Sequence, residues 1–206
     1  AGAGVTNANI AGGKNYRAGG TTVPAVSERS MSNGANSGSL GASQFLAGYD
    51  LFSDKDTVEV DFLIAPGMTS RTDQTTVTNQ LVATSQVTRK DCITVSSPSR
   101  NDVLSTSSAG TITNNIVAGA NNMTASSYLV VDANYTKVYD KFNDKFIFIP
   151  AAFSTAGLMA LSDTTAAPWF SPAGNRRGNL LGITSLAWSP TKSQRDTLYR
   201  NYINPV

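Results

Sequence analysis

The stretch Val58-Glu59-Val60-Asp61-Phe62-Leu63-Ile64-Ala65-Pro66-Gly67 carries the decisive pattern. It opens with strict alternation of apolar and acidic residues and turns continuously apolar at Phe62. Alternation sends successive side chains to opposite faces of a strand, and its loss marks a strand entering a sheet covered on both sides. Pro66-Gly67 ends the run. Glu59 and Asp61 share one face of such a strand. With no further ligand close in sequence, they read as solvated carboxylates rather than an acid–base pair or a metal site.

A strand covered on both faces needs helices nearby, and the flanking sequence supplies them. Downstream, Asp73 can cap a helix carrying Val77, Leu81, Val82 and Ser85 at helical spacing, closed by Arg89 and Lys90. Residues 92–97 form a second strand, stopped by Pro98. A polar loop over 99–110 leads to a short helix around Ile112, Ile116 and Val117, and then to a strand over 128–131. Residues 135–139 and 146–149 flank the hairpin-like polar segment 140–145. A small-residue helix follows over 151–161, with Phe153, Leu158 and Leu161 on related faces, and then a strand over 182–188. Thr191 and Gln194 have capping-box spacing and open a helix through Leu198 and Tyr199, on which Asp196 and Arg200 stand four apart.

Strands and helices alternate, which argues for an α/β domain over 46–206: a mixed β-sheet of about five strands flanked by about four helices. Residues 1–45, rich in Gly, Ser and Asn with turn signals at Asn33-Gly34 and Ser37-Gly38, read as an irregular N-terminal arm or the remnant of a neighbouring domain. The chain opens Ala1-Gly2-Ala3-Gly4 without a methionine, as expected of a processed or cut chain.

Composition narrows the chemistry. The 206 residues carry no histidine and one cysteine. That removes histidine triads, histidine zinc sites and any intramolecular disulfide. Cys92 lies in a strand-like run and reads as a small buried apolar residue. Gly2-Ala3-Gly4 lacks the third glycine and the preceding strand of a dinucleotide fingerprint, and Gly13-Lys14 is followed by Asn15 rather than Ser or Thr. No catalytic residue, metal site or cofactor is expected. No apolar run approaches the ~20 residues of a membrane span, and no signal peptide is visible. Charged residues make up only 15 %, so the surface is neutral-polar, as suits an assembled particle. The net charge of +2 argues against a nucleic-acid binder, but it is uneven. From Arg176 to Val206 there are five basic residues and one acid, a net of +4. This is either a solvated basic face or a contact surface for an acidic neighbour.

One segment is unlike polar filler: Ala167-Pro168-Trp169-Phe170-Ser171-Pro172-Ala173-Gly174-Asn175-Arg176-Arg177-Gly178. Proline restricts the backbone, glycine permits tight turns, and Trp169 is a large apolar side chain expected to anchor the loop on the core. The arginines could instead bind carboxylate or phosphate.

The run Pro168 to Gly174, then Arg177-Gly178, then Gln194-Arg195-Asp196-Thr197-Leu198-Tyr199, then Ile203-Asn204-Pro205-Val206, resembles the signature of myovirus tail sheath proteins. Arg89-Lys90-Asp91-Cys92 and the helix over 151–161 are similar to the same family. The resemblance covers Leu51 to Val206. It picks out Pro168, Trp169, Pro172, Gly174, Arg177, Gly178, Arg195, Asp196, Tyr199, Asn204 and Pro205 as structural or subunit-contact residues. It implies a structural subunit, not an enzyme, whose partners are copies of itself in stacked six-fold rings, the tail tube and the baseplate. It implies location in the virion tail, assembly in the host cytoplasm, and a contraction that drives the tube through the host envelope. It also implies an internal fragment, monomeric alone, without the C-terminal tube-binding domain, and neither nucleic-acid binding nor membrane insertion. An α/β nucleotide-binding enzyme and a surface adhesin module are the alternatives.

Overall fold

The computed structural model describes residues 40–174 and 177–206. The turn signals at 33–34 and 37–38 therefore lie outside the described residues, as do Asn175 and Arg176. Helix α1 (Ala42–Asp50) starts inside the stretch read as an irregular arm, its Gly41 amide donating to Gln44 Oε1 at 3.0 Å.

Three short strands, β1 (Phe62–Ile64), β2 (Ile93–Ser96) and β3 (Leu129–Val131), form a parallel sheet in chain order. β1 is shorter than the alternation implies, and the cause lies in Arg89. Its guanidinium donates to the carbonyls of Phe52 and Val58, both at 2.8 Å, so a side chain holds this backbone before any neighbouring strand can. Glu59 and Asp61 are exposed, as expected.

Helix α2 (Arg71–Ala83), continued by a wider π-helical turn (Thr84–Arg89), covers one face of the sheet. Its N-cap is Ser70, whose Oγ accepts from the Asp73 amide at 3.1 Å, and not Asp73 itself. Asp73 sits in the first turn, where its charge suits the positive helix end. Lys90 stops the helix in the left-handed region at φ 66°. Val77 and Leu81 pack on Leu63, Ala65, Met68 and Cys92, with Phe45, Leu46 and Tyr49 of α1 alongside. Cys92 is buried as expected. Beside this apolar cluster runs a polar seam. Thr78 Oγ1 lies 2.8 Å from Ser96 Oγ, Gln74 Nε2 donates to Ser96 Oγ at 3.2 Å, and Ser85 Oγ lies 3.0 Å from Thr94 Oγ1. Each of these buried groups is paired, which is the condition for burying it without a large penalty.

The stretch 99–110 is not all loop. It folds as α3 (Arg100–Leu104) and the start of α4 (Ala109–Ala120), because Ser99 and Ser108 act as N-caps. α5 (Ala151–Thr165) covers the second face, where Ala152 and Ala156 meet Val95, with Phe62, Ile64 and Val130 packed against them. Of the apolar side chains in that helix pattern, Phe153 and Leu161 are exposed and Leu158 is half-buried, and small alanines make the contact.

The α/β class stands, with the strands divided between two sheets rather than joined in one. β4 (Tyr135–Asp140), β5 (Lys145–Pro150) and β6 (Ser185–Leu186) form a separate antiparallel sheet in the order β5-β4-β6. Asn134 makes the corner. Its Oδ1 accepts from the Tyr135 amide at 2.9 Å and its carbonyl from the Ala151 amide at 3.0 Å, while its Nδ2 donates to the carbonyls of Trp188 and Val206, both at 2.9 Å. These bonds replace the ladder that a continuous sheet would supply. Helix α6 (Lys192–Arg200) joins the cluster of Val103, Ile112, Ile116, Tyr135, Trp188 and Ile203 through Leu198 alone.

Candidate functional site

The sequence signature falls in two places. The first is the loop after α5. Phe170 N donates to the Ala167 carbonyl at 3.0 Å, closing a turn with Pro168 and Trp169 at its centre, where proline presets the backbone. Gly174 has φ 100°, and the Gly178 amide donates to its carbonyl at 2.7 Å. A Cβ on Gly178 would sit 2.9 Å from Gly174 N, so both glycines are required for this approach. The Arg177 guanidinium stands 5.0 Å from the centre of the Phe170 ring, a cation–π contact. Pro168, Phe170 and Pro172 line a cavity of about 470 Å³ together with Asp61, Phe62, Ile93 and Met159.

Trp169 does not anchor this loop. Its side chain is 83 % exposed, and the tryptophan in the core is Trp188. The turn places Trp169 at its apex, where the prolines fix the backbone without help from a buried ring.

The second place is α6 and the residues after it. Thr191 and Gln194 close the expected capping box, with the Thr191 amide donating to Gln194 Oε1 at 2.8 Å. Leu198 is buried, whereas Arg195, Asp196, Tyr199 and Arg200 face outward. Tyr202, at φ 59°, turns the chain and leaves its ring 94 % exposed. Ile203 then dives into the core. Asn204 fastens the following residues to β3: its amide donates to the Val131 carbonyl at 2.8 Å, and its carbonyl accepts from the Ala133 amide at 2.9 Å. Its side chain donates to Asp132 Oδ1 at 3.2 Å, and Pro205 follows.

Two charged residues central to this frame have roles that the sequence pattern does not show. Arg89, placed there at a helix end, is only 2 % exposed; besides the carbonyls of Phe52 and Val58 it binds Asp91 through Nε and Nη2, both at 3.0 Å. The nearby Asp91 was the available signal. Asp132 is buried at the end of β3, and burial pushes its carboxyl above the usual range while Thr155 and Asn204 partly offset this. An acid directly after the apolar run Leu129–Val131 was its signal. Among the described residues there is no group of three or more acids or cysteines placed to hold a metal ion. None of their helices is long and apolar enough to cross a membrane.

Residues 37–206 match the family model described as phage tail sheath protein central domain. A tail sheath protein of Enterobacteria phage T4 is 34 % identical over 175 residues, 80 % of this chain and 26 % of that protein. A tail sheath protein of Vibrio phage KVP40 is 33 % identical over 188 residues, 84 % of this chain and 28 % of its own length. The chain thus spans about a quarter of the length of these curated relatives. A chain in the cryo-EM structure of the anti-feeding prophage (AFP) baseplate, 6-fold symmetrised, has a TM-score of 0.53 at 20 % identity. That match covers 78 % of this chain and 37 % of the other, and it speaks for the fold alone.

Proposed function

Because the chain belongs to the phage tail sheath protein central domain family, we propose that it is part of a structural subunit of a contractile tail sheath. The subunit polymerises as stacked six-fold rings around the tail tube, and contraction of the rings drives the tube through the host envelope. Its partners are copies of itself, the tube and the baseplate. It resides in the virion tail after assembly in the host cytoplasm. The family match over residues 37–206 carries this reading.

The chain's chemistry supports a mechanical role over a catalytic one. The cavity beside the Pro168 loop is bordered by acids, apolar side chains and Thr164, whose hydroxyl donates to the Ala160 carbonyl at 2.8 Å rather than to a base. The relatives reported above are named as sheath proteins. In this reading the α/β domain moves as a rigid body while its contacts with neighbours change. Gly174 and Gly178 shape the loop that presents Trp169, and Asn204 fastens the backbone after α6 to β3. Trp169 and Tyr199, both exposed, meet neighbouring subunits. Exposed polar contacts are individually weak, so the 206-residue chain alone is monomeric at moderate concentration.

Negative-stain electron microscopy of the longer polypeptide that contains this sequence tests the reading. Tubular polymers with six-fold end views are expected. A protein that stays monomeric under every assembly condition, or that turns over a nucleotide substrate, contradicts it.

A further inference from the structure

We propose that the outer face of α6 is a docking surface for the acidic 50–61 segment of a second copy of this chain. The inference rests on the sheath reading and assigns one of the contacts that reading requires.

The helix is held by Leu198, and the rest of its surface faces outward. Lys192, Arg195 and Arg200 stand there with a single acid, Asp196. The ion pairs among the described residues are Arg71–Asp102 and Arg89–Asp91, so none of these cations is neutralised within its own copy. Tyr199 and Tyr202 place aromatic surface beside them, 71 % and 94 % exposed. Aromatic and arginine side chains together are the composition favoured at the centre of protein interfaces.

The complementary surface is on the same chain. Residues 50–61 carry five acids and one lysine, and all six side chains are exposed. Arg89 organises this segment by holding the carbonyls of Phe52 and Val58, so little ordering is lost when a partner arrives. The two surfaces lie on opposite flanks of the parallel sheet. The acidic segment leads into β1, whereas α6 leads into the residues that Asn204 pairs with β3, and β2 lies between. One copy cannot close the contact on itself. Two copies can, and because the surfaces differ the contact is heterologous: it leaves one free surface of each kind and repeats into a ring or a helical array. Charge complementarity thus selects a second copy as the occupant.

The test mixes two single-cysteine variants, Asp56→Cys and Arg195→Cys, under mild oxidation at low salt, with the native Cys92 buried and out of reach. A mixed disulfide in excess over the two homodimers is expected, by about tenfold relative to random pairing, which corresponds to about 1.4 kcal/mol. Adding Arg200→Glu to the second variant should remove the excess, and adding Asp54→Lys to the first should restore it. High salt should also abolish it, since exposed charges are screened beyond about 3 Å at 1 M. Random pairing at low salt overturns the proposal. So does an intrachain disulfide in the Asp56→Cys, Arg195→Cys double variant, which would place helix and segment together within one copy. If the longer polypeptide with Arg195→Glu and Arg200→Glu still forms normal sheaths, the sheath reading survives and this contact is rejected.

Discussion

The two tryptophans face opposite fates. Trp188 lies in the core at 8 % exposure, with its indole N–H donating to the Ala133 carbonyl at 3.4 Å. Trp169, in the family signature, is 83 % exposed at the apex of a proline turn. A large aromatic with a polar handle serves either purpose, and only its surroundings decide which. Trp188 holds the α6 layer to the body of the domain. Trp169 contributes little to the fold and leaves its apolar surface available to a neighbour. A recognisable motif therefore does not imply a packed one.

Substitutions that separate the two regions sharpen this contrast. Trp188→Ala should cost about 3–5 kcal/mol, as removal of a buried aromatic usually does. For a chain of this size that lowers the melting temperature by roughly 10 °C, measured by circular dichroism. A loss below about 1 kcal/mol would place Trp188 outside the core. Asn134→Ala comes next, at about 1–3 kcal/mol, because it strands the Tyr135 amide and the carbonyls of Trp188 and Val206. Denaturant titration would show a lower midpoint at an unchanged slope.

Asp132→Asn is a smaller effect with a sign. Burial raises the native carboxyl above its unfolded value, so its favourable contribution is complete below the unfolded value and is lost as pH rises through the folded one. The asparagine keeps an oxygen for the Asn204 amide and never ionises. The variant should melt above the parent near pH 7, and the gap should close as pH falls toward about 4. A gap that is independent of pH would mean that Asp132 stays charged in the fold. Trp169→Ala should move stability least, by no more than about 0.5 kcal/mol, as for other exposed positions.

What was legible in the sequence follows the same division. The continuously apolar run from Phe62, the capping box at Thr191 and Gln194, and the paired runs of the hairpin each rest on local chemistry, and each element is present, whereas the alternating residues before Phe62 stay outside β1. Elements that depend on distant partners were harder to read. Asp91 marks Arg89 as a paired side chain, but only the fold brings its guanidinium to the carbonyls of Phe52 and Val58. The division into two sheets hangs on Asn134, whose partners Trp188 and Val206 lie far along the chain. α3 went unseen because serines signal both loops and helix caps, and only the Asp102 amide on Ser99 tells them apart. In the signature, glycine and proline spacing showed that the loop was fixed, but side-chain type could not tell Trp169 in contact with a neighbour from Trp169 in the core.

In the proposed reading Trp169, an exposed member of the signature, serves contact between subunits, whereas Leu198, Ile203 and Asn204 of the same signature hold the fold. Electron microscopy of the longer sheath polypeptide carrying Trp169→Ala tests it most directly. The expected outcome is a soluble protein that melts with the parent yet forms few or shortened sheaths. Full-length sheaths in parental yield would contradict the claim and leave the exposed tryptophan without a role in assembly.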